Sequence, residues 1–128
     1  MGYEAPLREM HFVLEELAGL RSLQKLPAFE EASDDTVEAV LQECAKLTSE
    51  VIAPLNATGD RQPSAWADGK VTMPPGFRAA FRSFAEGGWQ GLQHSPRFGG
   101  QGLPRLVATP CLEMLQSANL SFALCPLL

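Results

Sequence analysis

The chain has 128 residues, a length that suits one domain with a respectable core. Its 45% hydrophobic and 20% charged content is ordinary for a soluble globular protein. The net charge of −5, with no run of Lys or Arg, argues against nucleic acid and anionic membrane as partners, since both need clustered positive charge.

No segment reaches the roughly 18 unbroken apolar residues that a membrane helix requires. Met1-Gly2-Tyr3-Glu4 lacks the basic and apolar regions of a signal peptide, and Pro6 stands where a myristoylation signal needs Ser or Thr. Cys44, Cys111 and Cys125 are odd in number, widely spaced and set among apolar neighbours. This is the pattern of buried thiols in a reducing compartment rather than of a disulfide frame or zinc site, so a cytoplasmic location is expected.

The first periodic stretch opens at Ala5-Pro6, where proline fits a first helical turn. Leu7, Met10, Leu14 and Leu17 then line one helix face, and Gly19 ends it. The second helix is expected to be capped by Asp35, with Glu38 three residues on. Val37, Val40, Leu41, Cys44, Leu47, Val51, Ile52 and Leu55 form its stripe, wide enough to face a core, with Leu41 and Leu47 deeply buried. Pro54 is expected to end or kink it near Ala53.

Between Asn56 and Pro75 turn chemistry dominates, and Val71 and Met73 alternate as a short extended piece would. A third helix carries Phe77, Ala80, Phe81 and Phe84 on one face and stops at Gly87-Gly88. A glycine-rich loop, 87–102, holds Trp89, Leu92, His94 and Phe98. A fourth helix runs from about Pro104 to Ser117 on Leu106, Cys111, Met114 and Ala118, its start open to a shift by Pro110. The apolar segment 120–128 demands burial as a terminal helix, and with nothing after it to provide cover the chain reads as a fragment.

Chemistry-bearing patterns are weak. Phe98-Gly99-Gly100-Gln101-Gly102 is followed by Leu103-Pro104, not by the Lys-Ser or Lys-Thr of a phosphate loop, and no strand precedes it. A tight turn into a proline-started helix is the simpler reading. His11 beside Glu15 reads as a surface i,i+4 pair, and His94 as a solvated loop residue. No Gly-x-Ser-x-Gly occurs, and Cys125, among Phe122, Leu124 and Leu127, reads as core rather than nucleophile. The residues thus describe a mostly helical domain without its own catalytic constellation.

Five segments nevertheless resemble, in order, the acyl-CoA dehydrogenase family. They are 3–14, which is similar to a short helical extension found in one subgroup; Val51-Ile52-Ala53-Pro54-Leu55-Asn56 with Gly59-Asp60; Pro75-Gly76-Phe77 with Gly87-Gly88-Trp89; 96–104; and Ser117-Ala118-Asn119 followed by 122–128. The chain departs from the family at Arg97, where Glu is more usual, and at Pro110, where a helix former is usual.

The resemblance implies an all-α, antiparallel helical bundle, with residues 1–26 as an N-terminal helical extension. Residues 27–128 would be the family's N-terminal helical domain, incomplete at its C-terminal end. The intact protein would be a flavoprotein of fatty acid metabolism, a homo-oligomer using FAD and an electron acceptor to oxidise an acyl-CoA to an enoyl-CoA. A base and a hydride acceptor must straddle one Cα–Cβ bond at near-contact distance. The family places both beyond this domain, so this piece alone is expected to hold no flavin, no metal and no catalytic residue. Its expected share is a wall for the acyl chain built from Phe122, Ala123 and Pro126 on one face of the last helix. Two other readings stand beside this one: a stand-alone helical interaction module that binds through its apolar C-terminal segment, and a part of an acyl-CoA oxidase. The downstream reading frame discriminates the module from the enzyme.

Overall fold

The computed structural model describes residues 2–127, and these are mostly helical. Helix α1 (Leu7–Phe12) passes into a wide, π-helical turn over Val13–Leu17. Gly19, at φ 78°, then redirects the chain into the short α2 (Leu20–Leu23). A glycine suits that left-handed position because it carries no Cβ to clash. Met10, Leu14 and Leu20 are buried, but Leu17 is 71% exposed. The wide turn adds a residue between repeats and rotates Leu17 off the face that an unbroken helix would give it.

Helix α3 (Asp34–Leu47) is capped two residues before the expected position. Ser33, not Asp35, is the capping residue, and its Oγ accepts from the Thr36 N–H at 3.2 Å. Val37, Leu41 and Cys44 form the buried stripe, and Leu47 is only half-buried. The regular α-helix is interrupted before Ala53, where Pro54 was expected to end or kink it, and the chain is helical on both sides. A second wide turn, Thr48–Ile52, leads directly into α4 (Pro54–Arg61), with Pro54 in its first turn. The Ala53 N–H reaches back five residues to Thr48 O at 2.8 Å, and the widened turn makes room for a ring that would otherwise press on the carbonyl four residues back.

A two-stranded antiparallel hairpin, β1 (Ala65–Ala67) and β2 (Lys70–Thr72), follows and is exposed throughout. Helix α5 (Phe77–Glu86) buries Phe77, Ala80 and Phe84, whereas Phe81 is 43% exposed. Helix α6 (Arg105–Ala118) starts directly after Pro104 and is not delayed by Pro110, which lies inside it and is buried. Helix α7 (Leu120–Leu127) packs on α6 and α4.

Two adjoining apolar cores result. In one, Met10 and Leu14 meet Val37, Leu41, Cys44 and Met114 between α1, α3 and α6. In the other, Ile52 meets Phe77, Phe84, Leu115, Phe122 and Ala123. The N-terminal helices therefore share a core with α3 and α6 instead of standing apart. Among the described residues no helix is long and apolar enough to cross a membrane.

Leu41→Ala is expected to destabilise the domain by about 2–5 kcal/mol in urea titrations, as truncation of a fully buried leucine does. The exposed Glu43 on the same helix should tolerate Ala within about 0.5 kcal/mol.

Candidate functional site

Helix α7 carries the three residues expected to face a ligand, and Asn119 sets its position. The Asn119 side chain is 1% exposed. Its Oδ1 accepts from the Phe122 N–H at 3.1 Å and from Ser121 Oγ at 2.7 Å, which caps the helix. Its Nδ2 donates to Ile52 O at 3.5 Å, tying the elbow between α6 and α7 to the wide turn before α4.

Phe122 and Ala123 are buried in the second core. The Phe122 ring has the rings of Phe77 and Phe84 at 6.1 Å and that of Phe81 at 6.4 Å, with an edge-on approach to Phe84. Pro126 is half-buried, and its carbonyl accepts from Gln90 Nε2 at 2.8 Å. Phe122 and Pro126 thus do not open onto the same space. Phe122 borders a groove of about 230 Å³ with Met73, Phe77, Phe81 and Cys125. Pro126 borders a cleft of about 250 Å³ whose apolar wall includes Phe84, Trp89, Leu112 and Leu115. Helix α7 separates the two, because Phe122 turns toward α5 while Pro126 lies one turn on, beside the 88–93 loop.

The thiols divide in a way their apolar neighbours in sequence do not reveal. Cys44 and Cys111 are buried, but Cys125 is exposed and is not a core residue. Helical rotation decides this, since Phe122 and Ala123 take the inward positions on the same two turns. Cys44 Sγ donates to Cys111 O at 3.7 Å. Hydrogen bonding with Cys111, reinforced by burial, pushes the Cys44 thiol far above its ordinary pKa, so it stays protonated and is no nucleophile. The Tyr3 phenol is likewise raised, first by burial and then by Cys44 and Glu113, and its buried oxygen has no protein partner among the described residues.

His11 does not pair with Glu15. Glu15 instead meets Arg21 at 3.6 Å, across the turn at Gly19. His94 is exposed in the loop, as expected. Among the described residues no group of three or more His, Cys, Asp or Glu could hold a metal ion.

The glycine-rich loop folds back on itself. The N–H groups of Gly100, Gln101, Gly102 and Leu103 donate to the carbonyls of Ser95, Gly91, His94 and Leu92, at 2.9–3.1 Å. A Cβ on Gly100 would run into the His94 carbonyl, which is why glycine stands there. With these amides engaged, the loop presents no nest for a phosphate, and it does not fit the pyrophosphate of a flavin dinucleotide.

Sequence reasoning missed Arg105. It opens α6, lines the Pro126 cleft and donates from Nε to Gln93 Oε1 at 3.2 Å. One signal was available, because a cation in a first helical turn opposes the helix dipole and calls for another reason to be there. Asn119 was noticed only as part of a motif; an Asn three residues before an apolar Phe in a helix start is a recognisable cap.

Over its 128 residues the chain is 38% identical to 3-methylmercaptopropionyl-CoA dehydrogenase of Ruegeria pomeroyi, of which it spans 22%. Over 120 residues, 91% of this chain, it is 27% identical to the broad-specificity linear acyl-CoA dehydrogenase FadE5 of Mycobacterium tuberculosis, of which it spans 20%. The chain thus spans about a fifth of the length of the curated relatives it matches. No family model matches it.

Two outcomes follow from this geometry. Phe122→Ala should cost about 3–5 kcal/mol in urea titrations, while Leu124→Ala, at a half-exposed position, should cost about 0.5 kcal/mol or less. Ellman's reagent should titrate Cys125 promptly in the native chain and reach Cys44 and Cys111 only after denaturation.

Proposed function

Because this chain is homologous along its whole length to acyl-CoA dehydrogenases, we propose that it forms the amino-terminal helical domain of a FAD-dependent member of that family. The intact protein would oxidise an acyl-CoA thioester to its enoyl-CoA. The observation that carries this reading is the 38% identity sustained across all 128 residues. A shared fold alone would not support an activity, but 38% identity over an alignment that spans the whole chain supports descent from the same enzyme family.

The domain's share is structural. Helix α7, held by Asn119, offers Pro126 toward an acyl pocket completed by the rest of the protein, with Phe122 and Ala123 behind it. Phe122 and Ala123 support that wall from within the core, and Pro126 is the member of the trio that borders the cleft beside the 88–93 loop. FAD, when bound in the intact protein, supplies the hydride acceptor. The flavin and the base are assigned to the remainder of the protein, as the resemblance to the family implies. Leu120 and Leu124, about half exposed, suit a helix that a further part of the same protein covers. A cytoplasmic location for a homo-oligomeric enzyme accords with Cys44 and Cys111 being kept as free buried thiols.

The purified 128-residue chain should be colourless and reduce no dye with any acyl-CoA, whereas the product of the complete reading frame should be yellow and reduce it. Stoichiometric flavin on the short chain would overturn the assignment of the cofactor to the remainder. A complete reading frame that yields a protein without flavin or dye reduction would favour the interaction module, and hydrogen peroxide production in place of dye reduction would identify an oxidase.

A further inference from the structure

The cleft beside Pro126 has a mixed lining. Part of it is apolar, formed by Phe84, Trp89, Leu112 and Leu115. The polar part is Gln90, Gln93, His94 and Arg105, each able to donate hydrogen bonds to a ligand, with Arg105 the permanent cation among them. No Asp or Glu is among the described residues that line it, and Arg105 has no carboxylate within salt-bridge distance among the described residues.

The arginine is also oriented. Its Nε donates to Gln93 Oε1 at 3.2 Å, and this fixes the guanidinium plane while leaving the terminal N–H groups to other acceptors. A guanidinium held through one edge recognises a carboxylate through two parallel hydrogen bonds. The Gln90 amide is meanwhile turned to the Pro126 carbonyl, so the end of α7 and the 88–93 loop form one continuous border. An acyl chain following the Pro126 side of α7 would therefore leave apolar surface and meet a cation.

From this we infer a specificity: the cleft receives the distal end of the acyl chain, and Arg105 selects thioesters whose distal end carries a carboxylate. The inference rests on the reading of α7 as acyl-pocket wall, and goes beyond it in naming the substrate class and the residue that reads it. A plain hydrocarbon end would gain nothing from Arg105, and would strip water from the guanidinium without replacing it. An anionic end restores those hydrogen bonds as charge-assisted ones.

The test uses the enzyme made from its complete reading frame and a matched series of acyl-CoA thioesters. Each chain length is offered once with a terminal methyl and once with a terminal carboxylate. Arg105 is exposed, so its substitution should leave the fold intact. In Arg105→Gln, KM for the carboxylate-ended thioesters should rise roughly 10- to 100-fold, the loss expected for a charged hydrogen-bonded pair. Their kcat should hold, and the methyl-ended series should show a KM no higher than with the wild-type enzyme, since the cost of desolvating the guanidinium is removed. Arg105→Lys, which keeps the charge and loses the fork, should restore part of the loss. An unchanged KM for the carboxylate-ended series would overturn the inference, and so would a loss shared equally by both series. In either case oxidation of the methyl-ended series would leave the acyl-CoA dehydrogenase reading standing. Failure of wild-type enzyme to oxidise either series would remove that reading and this inference with it.

Discussion

One buried amide governs the arrangement of the second half of the chain. Asn119 uses its oxygen to start α7 and its nitrogen to reach Ile52 O, sixty-seven residues earlier in sequence. The Ile52 carbonyl is open to that contact because the regular ladder lapses there: Ala53 reaches back to Thr48, and Asn56 donates to Ala53. A carbonyl released inside a core needs a partner, and leaving it without one would cost about 1–3 kcal/mol. The irregularity before Pro54 and the elbow before α7 thus complete each other. Remove the side chain and both the cap and the cross-tie go, leaving α7 to rely on the packing of Phe122 alone.

That cross-tie also explains the division of labour along α7. Its first turn is committed inward, with Phe122 among the rings of α5 and Ala123 against α6. Only after that turn does the helix pass the loop that carries Gln90, and there the surface opens. A ligand wall needs a rigid backing more than it needs reactive groups, because a side chain held to within a fraction of an ångström excludes wrong shapes as effectively as it accepts the right one. The aromatic cluster supplies the backing and Pro126 the face.

Much of this was legible in the chain. The stripes on α3 and α5, the glycine stops, the exposed His94 and the mostly helical character follow from spacing and turn chemistry alone, and the bundle from the family resemblance. What escaped shares a cause. Leu17 strays from its stripe where a π-helical turn intervenes, and a pattern with a fixed period has no means of announcing an inserted residue; Leu47, at the end of α3, is half-buried against the second core. The capping position was misjudged because Ser33 and Asp35 both have suitable side chains, and only the backbone decides between them. Cys125 and the Phe122–Pro126 pair were misplaced for a related reason. In a segment where nearly every residue is apolar, composition no longer marks which side faces inward, and tertiary packing alone assigns it.

The hairpin between α4 and α5 has a consequence of its own. Its strands are three residues each, all exposed, joined through Asp68 and Gly69 at positive φ. A two-stranded ribbon of that size, with every strand residue exposed, opens at little free-energy cost. Meanwhile Ile52, Phe77 and Phe122 clasp the chain on either side of it in one core. The peptide bond after Asp68 is therefore a natural place to divide the domain. Two separately made halves, one ending at Asp68 and the other beginning at Gly69, carry complementary surfaces and the two sides of the Asn119 tie, which makes this position the domain's own site for complementation by fragments.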